Sequence, residues 1–206
     1  MVELDVQRTR DGGVVVLHDL TLDRTTDGSG LVVDRSLADI RRLDAGAWFA
    51  PAFAGARVPA LDEVLAAIAL PVNVELKPSG DDGLEAAALA VVRSARALDR
   101  VVFSSFDVAS LVRLRSLSAG AEVAVLWEMG PVAVALRCAK RVDARALHVR
   151  KDGVDDAMAA AVAAEGLALR VWTVNDPLEL ESFGGSGVDG VFTDFPERFL
   201  QNAPLP

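Results

Sequence analysis

Val2-Glu3-Leu4-Asp5-Val6 and Val72-Asn73-Val74-Glu75-Leu76-Lys77 are the two stretches on which the fold and the chemistry of this chain turn. Both are short and alternate in polarity, the pattern of a β-strand whose successive side chains point to opposite faces. That alternation places Val2, Leu4 and Val6 on one face and Glu3 and Asp5 on the other. In the second stretch Val72, Val74 and Leu76 share a face, leaving Asn73, Glu75 and Lys77 together opposite. Three carboxylates where apolar residues would be easier to bury suggest an oxygen-rich cation site, with the lysine placed for an anionic ligand. The same residues read equally well as the solvated polar faces of edge strands.

Outward from the first strand, Arg10-Asp11-Gly12-Gly13 reads as a turn and Val14 to His18 as a second strand, giving a hairpin-like excursion. His18 shares a face with Val14 and Val16, and taken alone it reads better as a satisfied core or edge residue than as a site. Leu20 to Ala60 has low periodicity, with turn chemistry at Asp27-Gly28-Ser29-Gly30 and one short helical pattern from Ser36 to Leu43, capped by Ser36. So long an irregular excursion is usually functional.

From Pro59 onward the chain alternates. Strands are expected at Val72 to Lys77, Val101 to Ser105, Glu122 to Trp127, Ala144 to Val149, Leu169 to Val174 and Val188 to Thr193. Helices are expected at about 61–69, 83–98, 107–117, 131–141 and 154–165, with a short one from Pro177 that Gly184 and Gly185 end. This spacing predicts parallel strands joined by crossover helices. With the opening strand there are seven, one short of a closed eight-stranded barrel. A doubly wound open sheet competes, but its glycine-rich phosphate turn is absent. Glu75, Ser104, His148, Trp172, Asn175 and Asp194 stand at or just past strand ends, which in a barrel converge on one rim.

The 206 residues, 51% hydrophobic, are expected to form a single domain over 1–206. A net charge of −9 argues against a nucleic-acid surface. No run approaches the apolar length of a membrane span, and no signal peptide is visible, so a cytoplasmic location is expected. The one cysteine, Cys138, reads as a small hydrophobe on a helix.

Together the residues resemble the glycerophosphodiester phosphodiesterase family across nearly the whole chain. The matching stretches are Glu3-Leu4-Asp5-Val6, His18-Asp19 with Thr21 to Thr26 and Gly28-Ser29-Gly30, Leu43-Asp44-Ala45-Gly46 with Trp48-Phe49, Val58-Pro59 with Leu61 to Leu65, Glu75-Leu76-Lys77, Ser104-Ser105-Phe106, Val171 to Asn175, and Gly190 with Thr193-Asp194. Their order and spacing make the likeness specific. It implies an α/β fold of TIM type, a (β/α) barrel, with a family-type insertion at about residues 19–60. It also implies hydrolysis of a small-molecule glycerophosphodiester to sn-glycerol 3-phosphate and an alcohol, with one divalent cation, Ca2+ or Mg2+. By the same resemblance Glu3, Asp5 and Glu75 fall on metal-ligand positions, His18 on one of two general acid/base histidines, Lys77 near the phosphate and Trp172 at the pocket mouth.

One departure stands out. The family's first strand, ending in His-Arg-Gly, and its first helix have no counterpart, so the first β/α unit is expected to be missing and activity to be reduced. The other reading is a non-catalytic binding or structural module that keeps the cation pocket. A third, a barrel enzyme using Lys77 as a Schiff-base amine, is disfavoured because Glu75 beside it keeps the amine charged.

Overall fold

The computed structural model describes residues 1–77, 80, 82–183 and 185–200, the last by its backbone alone, so the helix end expected at Gly184 lies outside the described residues. They divide into two compact units, Met1–Ala121 and Glu122–Pro206.

In the first unit β1 (Val2–Arg8) and β2 (Val14–Val16) form an antiparallel pair. The short α1 (Leu37–Ile40) and α2 (Leu61–Ala67) lead to β3 (Val72–Leu76), α3 (Leu84–Ser94), β4 (Val101–Ser105) and α4 (Val108–Leu117). The sheet order is β2-β1-β3-β4, with β1, β3 and β4 parallel. Every residue of β3 is buried, as expected of a parallel strand covered on both faces. That overturns the solvated-edge reading of its polar side. Asn73 donates to Ser104 Oγ at 2.9 Å and Ser105 Oγ to the Leu76 carbonyl at 2.8 Å. Ser104 stands near the end of β4 opposite Glu75, as its place in the sequence implies, and is fully buried, bridging two strands.

The irregular excursion has a core of its own. Val15, Leu17, Leu22, Val32, Ile40 and Val58 cluster out of water, with Leu37, Leu43 and Ala45 packed against them. Ser36 caps α1 as expected, accepting from the Asp39 amide at 3.2 Å. The Asp44 carboxylate gathers the amides of Gly46, Ala47 and Gly55 at 2.7–2.9 Å, and these bonds hold its pKa below the ordinary value. At Gly46 a Cβ would lie 1.9 Å from the Phe53 carbonyl oxygen, so only glycine fits that approach.

The second unit contains β5 (Glu122–Trp127), α5 (Val132–Arg141), β6 (Ala146–Arg150), α6 (Asp156–Ala164), β7 (Ala168–Trp172), α7 (Pro177–Ser182), β8 (Gly190–Val191) and α8 (Glu197–Leu200). Its strands run β5-β6-β7-β8 and are parallel. The last strand is shorter than the Val188 to Thr193 expected, because the Asp189 side chain takes the Leu169 amide (2.8 Å) that a strand carbonyl would otherwise accept. Cys138 is half-buried on α5. Asn175 and Asp194 brace one another at 2.8 Å, and Asn175 Oδ1 also accepts from the Asp194 amide at 2.9 Å.

His148, which the sequence leaves open between a rim and a structural position, is structural, fully buried in β6. Its ring meets Phe192 edge to face at 4.9 Å, and Nε2 lies 3.2 Å from Arg170 Nη1. Nδ1 finds no hydrogen-bond partner among the described residues. Burial, with the nearby Arg170 charge, pushes the imidazole down to about 3.

Two stability predictions follow from this packing. Ile40→Ala should lower the unfolding free energy by on the order of 2–5 kcal/mol, read from the urea midpoint, because it opens a void in the excursion's small core. The unfolded chain takes up a proton near pH 6.5 at His148 and the folded chain only near 3. Stability is therefore lost as pH falls between those values, by up to about 1.4 kcal/mol per unit. His148→Gln should flatten that acid limb in denaturation measured from pH 6 to 4; an unchanged slope would show that this ring does not titrate on unfolding.

Candidate active site

The parallel register of β1 and β3 sets Asp5 opposite Glu75 and Glu3 opposite Asn73. One ligand oxygen from each of Glu3, Asp5 and Glu75 lies within 4.8 Å of the other two. Hydrogen bonding of the Lys77 amide to the Val6 carbonyl at 3.2 Å extends the ladder past β3. The side chain then turns back to the acids, with Nζ 2.9 Å from Asp5 Oδ1 and 2.7 Å from Glu75 Oε1. The side chains of Lys77 and Glu75 are only 11% and 10% exposed.

Burial raises the Glu75 carboxyl above its ordinary range, against the pull of Lys77, and the charge of Asp5 adds to the rise. For Lys77 burial acts against the charge, but the two carboxylates outweigh it and leave the ammonium above its ordinary range. The three acids bring hard oxygen donors to one place. That donor set suits a hard cation such as Ca2+ or Mg2+.

His18 stands two residues past β2, where the Leu17 amide bonds the Asp5 carbonyl at 3.0 Å. Its side chain is 64% exposed and lines a cavity of roughly 490 Å3 with Asp19, Leu20, Thr21, Glu75, Lys77 and Phe106. Nδ1 is 2.8 Å from Asp19 Oδ1. Asp19 is held by Arg24 through Nε at 2.5 Å and Nη2 at 2.8 Å. Arg24 and Thr26 tie the loop down, Thr26 Oγ1 donating to the Leu22 carbonyl at 2.6 Å, whereas the buried Thr25 Oγ1 finds no hydrogen-bond partner among the described residues.

The first unit therefore brings Glu3, Asp5, Glu75 and Lys77 together across β1 and β3, with His18 in the cavity that Glu75 and Lys77 line. Trp172 belongs to the second unit, half-buried at the end of β7, where its indole donates to the His148 carbonyl at 3.1 Å. Sequence reasoning gave no role to Gln7, whose buried carboxamide donates to the carbonyls of Leu17 (2.9 Å) and Asp19, on either side of His18. The alternation that pairs Glu3 with Asp5 reaches Gln7 one step further and could have found it. Phe106 and Leu20, apolar members of the cavity wall, carry no signal in a loop.

Parallel β/α units with acids and an imidazole at strand ends define a TIM-type α/β protein. The profile of the Glycerophosphoryl diester phosphodiesterase family matches residues 1–198. A glycerophosphodiester phosphodiesterase of Caldanaerobacter subterraneus subsp. tengcongensis is 36% identical over 205 residues, covering 97% of this chain and 84% of that one. Among solved structures, an Oleispira antarctica phosphodiesterase in complex with the product sn-glycerol-3-phosphate superposes with a TM-score of 0.86 at 30% identity, over 97% of this chain and 83% of that one. A glycerophosphodiester phosphodiesterase from Agrobacterium tumefaciens gives 0.82 at 28% identity, over 97% and 85%. The chain belongs to the glycerophosphoryl diester phosphodiesterase family and has its α/β fold. No helix among the described residues is long and apolar enough to cross a membrane.

Lys77→Met should destabilise the fold at pH 7 by on the order of 3 kcal/mol, since it strands two carboxylates without their ammonium. The loss should shrink at pH 4, where the raised Glu75 carboxyl is protonated; equal losses at both pH values would contradict the pairing.

Proposed function

We propose that this chain is a phosphodiester hydrolase that cleaves glycerophosphodiesters to sn-glycerol 3-phosphate and an alcohol in the cavity of the first unit. The observation that carries the reading is the meeting of Glu3, Asp5 and Glu75 within 4.8 Å beside a cavity that also holds His18 and Lys77. Family membership and the product-bound relative point to the same substrate class.

In this reading the three carboxylates hold one divalent cation, Ca2+ or Mg2+. When bound, such an ion polarises a phosphoryl oxygen and offsets charge that develops during attack. Lys77, kept charged by its two acids, adds a fixed positive charge for the phosphoryl oxygens. His18 exchanges a proton at the reacting oxygens, the role its accessible ring suits. Water contributes the new oxygen on phosphorus, and the alcohol leaves with a proton.

The purified chain should release sn-glycerol 3-phosphate from glycerophosphocholine when Ca2+ or Mg2+ is supplied and stop when EDTA is added. His18→Ala should cut the rate by about 10²- to 10⁴-fold. Calorimetric titration should show at least about tenfold weaker cation binding in Glu75→Gln, with the fold retained. Absence of product with either cation would sink the hydrolase reading, and unchanged cation affinity would remove Glu75 from the site.

A further inference from the structure

We propose that Asp19 is a positioning residue that fixes His18 in the tautomer carrying its proton on Nδ1, so that Nε2 is the ring atom presented for proton exchange, with Arg24 and Gln7 holding Asp19 in place. The inference deepens the acid/base reading of His18 and rests on it.

The geometry leaves one arrangement of protons. His18 Nδ1 and Asp19 Oδ1 are 2.8 Å apart, so one of them donates. The Arg24 guanidinium engages both Asp19 oxygens, and with the His18 contact it holds the carboxyl well below the usual carboxylate range. An ionised carboxylate only accepts. Nδ1 must therefore be the donor, and in the neutral ring Nε2 carries the free lone pair.

The frame around the pair is built to keep that contact. Gln7, 1% exposed on β1, donates to the main-chain carbonyls of Leu17 and Asp19 and so pins the backbone on both sides of His18. Arg24 lies over the Trp48 ring at 5.9 Å, and the Trp48 indole is itself fixed to the Ala45 carbonyl at 2.9 Å. Arg24 is 57% exposed and His18 64%, so solvent screens the charges. What this arrangement contributes is direction: a ring held by one nitrogen offers the other at a defined angle, where a free imidazole would rotate and carry its proton mostly on Nε2.

The chain has two histidines, His18 and His148, so imidazole-¹⁵N spectra contain two rings, which His148→Gln assigns. At a pH above the ordinary imidazole range, His18 should show a protonated Nδ1 and a bare Nε2. In Asp19→Asn the amide has one oxygen where Arg24 donates to two, Nε to Oδ2 and Nη2 to the Oδ1 that also faces His18, so its NH2 opposes either Arg24 or Nδ1 and the proton is no longer fixed on Nδ1. With glycerophosphocholine and a divalent cation, kcat of that variant should fall about 100-fold while KM stays within about threefold. Asp19→Ala should give mixed tautomers and a smaller loss, and an unmoved His148 signal reports that the fold is kept.

A wild-type His18 protonated on Nε2, a proton still wholly on Nδ1 in Asp19→Ala, or a lost tautomer preference with undiminished kcat would each overturn the proposal. Failure of the underlying reading looks different. His18→Ala would then leave turnover intact, while the tautomer would still respond to Asp19.

Discussion

Two parallel strands in register, each bringing carboxylates to one spot, impose the constraint on which the rest of the molecule depends. Asp5 opposite Glu75, with Glu3 beside them, gathers three carboxylates that run from exposed Glu3 through half-buried Asp5 to buried Glu75. Left alone, that arrangement would drive protonation or unfolding. Lys77 meets that demand by pairing with both Asp5 and Glu75. Oxygens of all three acids stand within 4.8 Å of one another, a donor set of the kind a hard cation takes.

The excursion after β2 is the second half of the design. A loop of this length could not hold an imidazole to a fixed direction without structure of its own. Here it has a small apolar core around Ile40 and Val32, main-chain amides collected by Asp44, and the Arg24 clamp on Asp19. Rigid strands deliver the acids, and a loop with its own packing delivers His18. The cavity lies where the two meet, within the first unit.

Much of this is legible in the sequence, for identifiable reasons. Glu122–Trp127 and Val101–Ser105 have the expected bounds because β-branched runs and their flanking turns define them locally. The acid trio follows from a period of two. Ser104 and His148 could be placed near strand ends but not assigned to water or to core, because a polar residue there looks the same whether its neighbours bury it or leave it wet. That difference is set by non-local packing, by Asn73 for one and Phe192 and Arg170 for the other. The length of β8 is misjudged for a related reason, since a side chain, Asp189, stands in for a main-chain partner. The ion pairing of Lys77 to two acids needs three-dimensional geometry that spacing alone only hints at.

The account's central claim is that Glu3, Asp5 and Glu75 jointly hold a divalent ion. Its most direct test is a crystal grown or soaked with Mn2+ and measured at a wavelength where manganese scatters anomalously. The account predicts one strong anomalous peak about 2.0–2.6 Å from a carboxylate oxygen of each of these three residues. A peak elsewhere, or none at the trio with the acids ionised, would contradict it.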